Sequence, residues 1–245
     1  TPRTAETEPV QIVLSTLSGG LVGGDVLSFD GAVKAGAAGQ FVGQAAEKVY
    51  GSAGPTTNVG FSLSAEDGAW LEQVPQETIL FDQARLDRRF DIKVASGARA
   101  LIGDMVVLGR LAMGEEFRDG AFADTWRLEI DGALVWCDRF GFEDAGIARA
   151  KSDPFGLGGA LGFATVLYVG EDAQRVVELV RDEALTERAA SLDLRLGATC
   201  LGTHTLVRVM GERPQSVRLV LGEIWKQLRA DRGGFAPILP TLWTI

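Results

Sequence analysis

Residues able to do chemistry are few in this chain. There is one histidine, His204, and there are two cysteines, Cys137 and Cys200. No G-x-S-x-G elbow accompanies His204, so a Ser-His-Asp arrangement would have no marked nucleophile. Cys200 and His204 stand four apart, but Cys200 ends a strand-like run and Gly202 intervenes. Two ligands leave a zinc or nickel site incomplete. A buried thiol beside a turn histidine accounts for the pair. Gly19-Gly20-Leu21-Val22-Gly23-Gly24-Asp25 is rich enough in glycine to suggest a phosphate loop. Such a loop needs a Lys-Ser/Thr pair behind its glycines. Asp25 stands there instead and would repel phosphate, so the segment reads as a turn between strands.

Carboxylates are what the chain holds in quantity: 33 acidic against 24 basic residues, a net charge of −9. Lys and Arg are dispersed, which argues against nucleic acid and against an anionic membrane surface as partners. Nothing in the carboxylate spacing selects a catalytic pair. The most informative polar positions interrupt apolar strands. Gln76 and Glu77 do so in Pro75-Gln76-Glu77-Thr78-Ile79-Leu80-Phe81-Asp82, which Asp82 closes, and Glu47-Lys48 does so in Gln44-Ala45-Ala46-Glu47-Lys48. An edge strand with a polar turn, and an ordinary ion pair, are the plain readings of these two segments.

The elements that must position such residues read mainly as β. Apolar residues make up 46% of 245, enough for a full core. The 31 glycines fall between short apolar runs, as in many short strands joined by tight turns. Trp126, Leu128 and Ile130 share one face before an Asp131-Gly132 hairpin turn, and Val59, Phe61 and Leu63 alternate likewise before Glu66-Asp67-Gly68. Phe90, Ile92 and Val94 alternate again after Arg88-Arg89. The expected fold class is therefore many short, mostly antiparallel strands in packed sheets, with no internal repeat of fixed period. About two α-helices are expected toward the C-terminus, over 172–188 with Asp172 as its cap and over 215–229 after Pro214. Residues 1–9 read as a loose lead-in to a chain truncated at its N-terminus, and residues 10–245 as one domain. The apolar tail from Pro237 to Ile245 is expected to expose surface and make the isolated chain poorly soluble or oligomeric. The longest apolar run, Leu157 to Val169, is too short to span a bilayer, and scarce, unpaired cysteines suit a cytoplasmic setting.

Four segments in order resemble the UreD (UreH) family of urease accessory proteins: residues 19–25, 44–50, 75–82 and Gly109-Arg110-Leu111-Ala112-Met113-Gly114-Glu115. The Trp126-Arg127 strand and the Ile224–Arg229 helix resemble it too. The chain departs from the family pattern at Val26 and Gly51, and at Pro240-Thr241-Leu242-Trp243, where a more basic ending is usual. The resemblance implies a β-rich scaffold without catalytic activity. Such a scaffold binds apo-urease and UreF, and through UreF recruits the GTPase UreG for nickel insertion. No tightly bound cofactor is implied, only transient nickel. Asp25, Glu47, Glu77 and Asp82 lie in the motifs and are the candidates for a polar nickel passage. Ile224, Trp225, Leu228 and Phe235 are the candidates for partner contact. A carboxylate-dependent β hydrolase and a β adaptor unrelated to nickel stand as alternatives.

Overall fold

A tight turn can reverse a strand onto itself or carry the chain from one sheet to another. In the computed structural model, which describes residues 8–243, most turns do the second. Glu66-Asp67-Gly68 joins β5 (Thr57–Ala65) to β6 (Trp70–Val74), yet these two strands lie in different sheets. The same crossing joins β2 (Val26–Val33) to β3 (Ala38–Gly43), and β8 (Arg85–Val94) to β9 (Arg99–Leu108). Two of these coils add a short strand, β4 (Glu47–Val49) or β7 (Glu77–Leu80), before returning. Neighbours within a sheet therefore come from successive coils and run parallel.

This corrects the expectation of mostly antiparallel strands: the sheets are mixed and largely parallel, a β-solenoid. In the five-stranded sheet β2, β5, β8 and β10 (Ala121–Ile130) are parallel, and only β11 (Ala133–Glu143) is antiparallel. In the nine-stranded sheet β1 (Val10–Leu14), β3, β6 and β9 are parallel. The strands β12 (Gly162–Val169), β14 (His204–Gly211) and β13 (Arg195–Cys200) complete it antiparallel. The coils also supply a repeat: Gly36-Ala37, Gly68-Ala69 and Gly97-Ala98 mark three successive corners, roughly 30 residues apart, a spacing usual for stacked repeats.

Register follows the coils. Phe29, Phe61, Phe90 and Trp126 stand side by side across β2, β5, β8 and β10. Phe61 and Phe90 stack at 4.8 Å, and Phe90 and Trp126 at 4.2 Å. This ladder fills the space between the sheets and fixes which residues can oppose one another. The expected Asp131-Gly132 hairpin is present, with positive φ at both turn residues (49° and 80°), as a two-residue primed turn requires.

There are four α-helices rather than two among the described residues: α1 (Ala145–Ser152), α2 (Ala173–Val180), α3 (Glu183–Ser191) and α4 (Pro214–Gly233). The helix expected over 172–188 is two. Asp182 breaks it and caps the second piece, accepting from Ala184 N at 3.0 Å, whereas Asp172 makes no side-chain cap. The expected 215–229 helix runs on to Gly233. Together α2, α3 and α4 cover the outer face of the nine-stranded sheet. That sheet is thus buried on both faces, which is why β6 is buried at every position and β9 at nearly every one, whatever the phase of the strand.

Both ends of the described chain are tied down. Phe235 and Trp243 are buried against α4 and the sheet, so the tail folds back onto its own core; residues 244 and 245 lie outside the described residues. Most of the expected lead-in also lies outside them, but Glu8 is bonded to Arg229 at 2.7 Å. No helix among the described residues is long and apolar enough to cross a membrane.

Candidate functional site

The four motif segments, far apart in sequence, meet on one flank of the solenoid. Leu21, Val49, Leu80 and Leu108 form one buried row, joined by the Leu21–Val49 bridge, the β4–β7 pair and the β7–β9 pair. Gly20 lets this row close. A side chain there would meet Tyr50 at 2.6 Å and the Lys48 carbonyl at 2.7 Å. The fourth segment folds over the row's end: Arg110 lies 4.1 Å above the Phe81 ring, and Glu115 accepts from Asp82 N at 2.9 Å.

Beside this row the parallel strands are interrupted at one level. The pairing of β6 and of β7 with β9 differs in register by one residue, so the chain carries an extra residue at Pro75-Gln76. The same offset separates the pairing of β3 with β6 from that of β4 with β7, across residues 43–46. Stacked bulges of this kind pull backbone out of the ladder and leave space. A cavity of about 520 Å³ occupies it, running from Glu47, Glu77 and Gln76 inward to Gln73, Arg88 and Asp104. Gln73 Oε1 is buried there without a hydrogen-bond partner, and such an atom costs free energy unless something enters to satisfy it.

The inner end is an ion cluster between the sheets. Arg88 donates to Asp104 Oδ1 at 2.7 Å and also to Asp104 Oδ2. It reaches both oxygens of Asp124 at 3.1 Å, and Thr78 Oγ1 at 2.9 Å. All five guanidinium hydrogens are used. One cation faces two carboxylates, so the cluster keeps a surplus negative charge out of water. Burial, helped by the neighbouring Asp124, pushes the Asp104 carboxyl up to about 6 against the pull of Arg88. Burial opposes the charge on Arg88, but the two carboxylates outweigh it and hold the guanidinium above its ordinary value.

Of the four carboxylates expected along a passage, the structure brings two to this cavity. Glu47 lines it and accepts from Thr16 Oγ1 at 2.6 Å. Glu77 lines it and is paired with Arg218. Asp25 closes the glycine-rich turn instead, accepting from Val22 N at 2.9 Å. Asp82 is a backbone acceptor: despite burial, the N–H groups of Arg118 (2.7 Å) and Asp119 (3.1 Å) hold its carboxyl below the usual range.

Ile224, Trp225, Leu228 and Phe235, the candidates for partner contact, are between 0% and 4% exposed and join α4 to the sheet. The core takes that stripe, and the helix presents its opposite face outward. His204 is buried against Trp136, neither ring nitrogen having a partner, and burial lowers its pKa. Cys200 Sγ donates only to Gly202 O at 3.5 Å. No group of three or more potential metal ligands occurs among the described residues.

No sequence motif marks Arg88, Asp124 or Asp104 as site residues, although the first two carry a signal. Leu86, Phe90, Ile92 and Val94 alternate inward along β8, and that phase puts Arg88 inside; Phe122, Trp126 and Leu128 do the same for Asp124. Asp104 has no such phase to betray it, because β9 is buried on both faces.

Comparison with known proteins assigns a lineage to this arrangement. The UreD urease accessory protein family matches residues 1–244. The urease accessory protein UreD of Magnetococcus marinus is 38% identical over 244 residues, which are 100% of this chain and 84% of that protein. UreD of Granulibacter bethesdensis is 38% identical over 94% of this chain and 93% of its own length. UreD 1 of Brucella abortus is 35% identical over 98% and 82%.

Proposed function

This chain belongs to the UreD urease accessory protein family and so acts in urease maturation; on that premise we propose that it is a cytoplasmic, non-catalytic scaffold for nickel insertion. It binds apo-urease and UreF, and through UreF gathers the GTPase UreG. The observation that carries the nickel part of this reading is the cavity among the family motifs. Its polar lining includes the oxygen donors Glu47, Glu77, Thr78 and the unpartnered amide oxygen of Gln73, beside the cations Lys48 and Arg88. No histidine or cysteine lines it. Nickel here is cargo, and cargo must be released. Carboxylate and carbonyl oxygens hold a borderline divalent ion more loosely than a closed thiolate–imidazole set does.

Urease activity in cells tests the proposal. Glu47→Gln and Glu77→Gln should each lower activation several-fold while their thermal melts stay within a few degrees of the parent. His204→Ala should leave activation nearly intact. Loss with His204→Ala beside full activation in both glutamate variants would overturn the oxygen route. Failure of the pure chain to co-purify with apo-urease and UreF would overturn the scaffold itself.

A further inference from the structure

The mouth of the cavity is tied to the C-terminal tail through one arginine. Arg218, on α4, is ion-paired with Glu77 and donates to the carbonyl of Trp243. Its guanidinium carbon lies 4.3 Å from the centre of the Trp243 ring, and it reaches Gln76 Oε1 at 3.3 Å. Gln76 in turn donates to Leu242 O at 3.0 Å and to Gly43 O at 3.2 Å. Gly43, Gln76 and Glu77 all line the cavity. One guanidinium thus joins the tail, the bulged backbone and a mouth carboxylate.

The tail is seated rather than merely adjacent. Gly222 on α4 leaves a bare patch of helix. A side chain there would meet Leu239 at 3.1 Å and the Trp243 indole at 3.4 Å. Trp243 is 6% exposed. The upstream part is fastened separately, by Arg229 to the carbonyls of Ala236 (2.6 Å) and Ile238 (3.1 Å). The last turn of the described chain is thus held by contacts separate from those that hold residues 236–238.

An arginine keeps its charge at every working pH, so what Arg218 contributes to the charge at the mouth depends on where it stands. We propose that Arg218 governs entry of a divalent cation to the cavity, and that the seating of Trp243 sets where Arg218 stands. With the tail seated, the guanidinium has the carbonyl and ring of Trp243 to hold it, and it occupies Glu77. With Trp243 displaced, those two contacts go, the arginine gains freedom to swing toward solvent, and Glu77 faces the cavity unpaired beside Glu47. This inference rests on reading the cavity as a cation route.

Nickel binding to the full chain, followed by calorimetry, tests it. Arg218→Gln and Trp243→Ala should each bind Ni²⁺ about tenfold more tightly than the parent, an increment typical of removing one close like charge. Adding Glu77→Gln to either should abolish the gain. Trp243→Phe, which keeps an aromatic ring on the seat, should behave like the parent. Should Trp243→Ala fail to fold, Trp243→Leu, which keeps bulk on the seat but no ring, tests the tail in its place, with the same tenfold gain expected, and Arg218→Gln tests the arginine. Affinities unchanged by both substitutions, with Glu77→Gln alone weakening binding, overturn the tail's role and leave the cation route standing. Absence of Ni²⁺ binding in every variant, or binding indifferent to Glu77, overturns both.

Discussion

Two arginines lie inside this protein among carboxylates, and their surroundings separate a clasp from a site. Arg229 is 1% exposed and meets Glu72, itself 0% exposed, at 3.1 Å. Trp225 donates to the same Glu72 at 2.6 Å, and backbone carbonyls take further guanidinium hydrogens. Its second carboxylate, Glu8, is 40% exposed, so water carries the surplus charge. Protein closes around this cluster, and its effect is to join N-terminal segment, sheet, helix and tail. Arg88 is bonded as completely, but its second carboxylate, Asp124, is only 10% exposed, and the cluster adjoins a cavity with an unpartnered amide oxygen. A buried ion pair by itself speaks of structure. Unbalanced charge beside an opening speaks of use.

Glu72→Ala should produce the largest effect. It strands Arg229 in the interior, and breaking a buried pair from one side costs about 3–5 kcal/mol. For a chain of this size that lowers the melting midpoint by about 10 °C. A loss under about 1 kcal/mol in denaturant titrations would erase the contrast, since Arg229 would then not depend on its partner.

Asp104→Asn sharpens the contrast through pH. The folded-state pKa of Asp104, about 6, lies above its unfolded value of 3.8. Its contribution to stability is therefore full below pH 3.8 and fades as pH rises through 6. Between pH 7 and pH 5 the parent should gain about 1 kcal/mol relative to the variant. Denaturant midpoints at the two pH values measure this; a gain by the variant instead would show that the cluster carries no surplus charge.

The smallest effect belongs to a third buried polar group that has neither clasp nor opening. His204 is neutral in the core, its pKa lowered by burial. Protonation of the unfolded chain below its ordinary 6.5 then costs stability as pH falls, the reverse of Asp104. His204→Leu should match the parent at pH 7 and exceed it at pH 5 by less than about 1 kcal/mol. A variant that loses several kcal/mol at neutral pH would mean that the imidazole has a structural partner after all.

Strand content, the Asp131-Gly132 hairpin and α4 were legible in the sequence because each rests on local periodicity or turn chemistry. Strand direction was not. Glu66-Asp67-Gly68 has the composition of a hairpin turn, and only the pairing of β5 with β8 rather than β6 makes it a corner. Glu47 and Glu77 were legible through their motifs, as polar interruptions that coincide with the bulges lining the cavity. Asp25 and Asp82 share the motif signal but serve backbone N–H groups, a difference that composition does not encode. Ile224, Trp225 and Leu228 show why an apolar stripe is weak evidence for an interface: a helix needs that stripe to stay on its own sheet.

The parallel coils have a consequence for how such a molecule can change in length. Leu21, Val49, Leu80 and Leu108 belong to consecutive coils, and each neighbour is set by the one beneath. A one-residue deletion inside β5 would turn Phe61 outward and leave Phe29 facing a gap, because side chains alternate along a strand. A whole coil added at a corner would disturb no rung. It would extend the stack by about 4.8 Å, the spacing between neighbouring strands. Growth by complete turns is the only increment this architecture admits cheaply, as floors are added to a building.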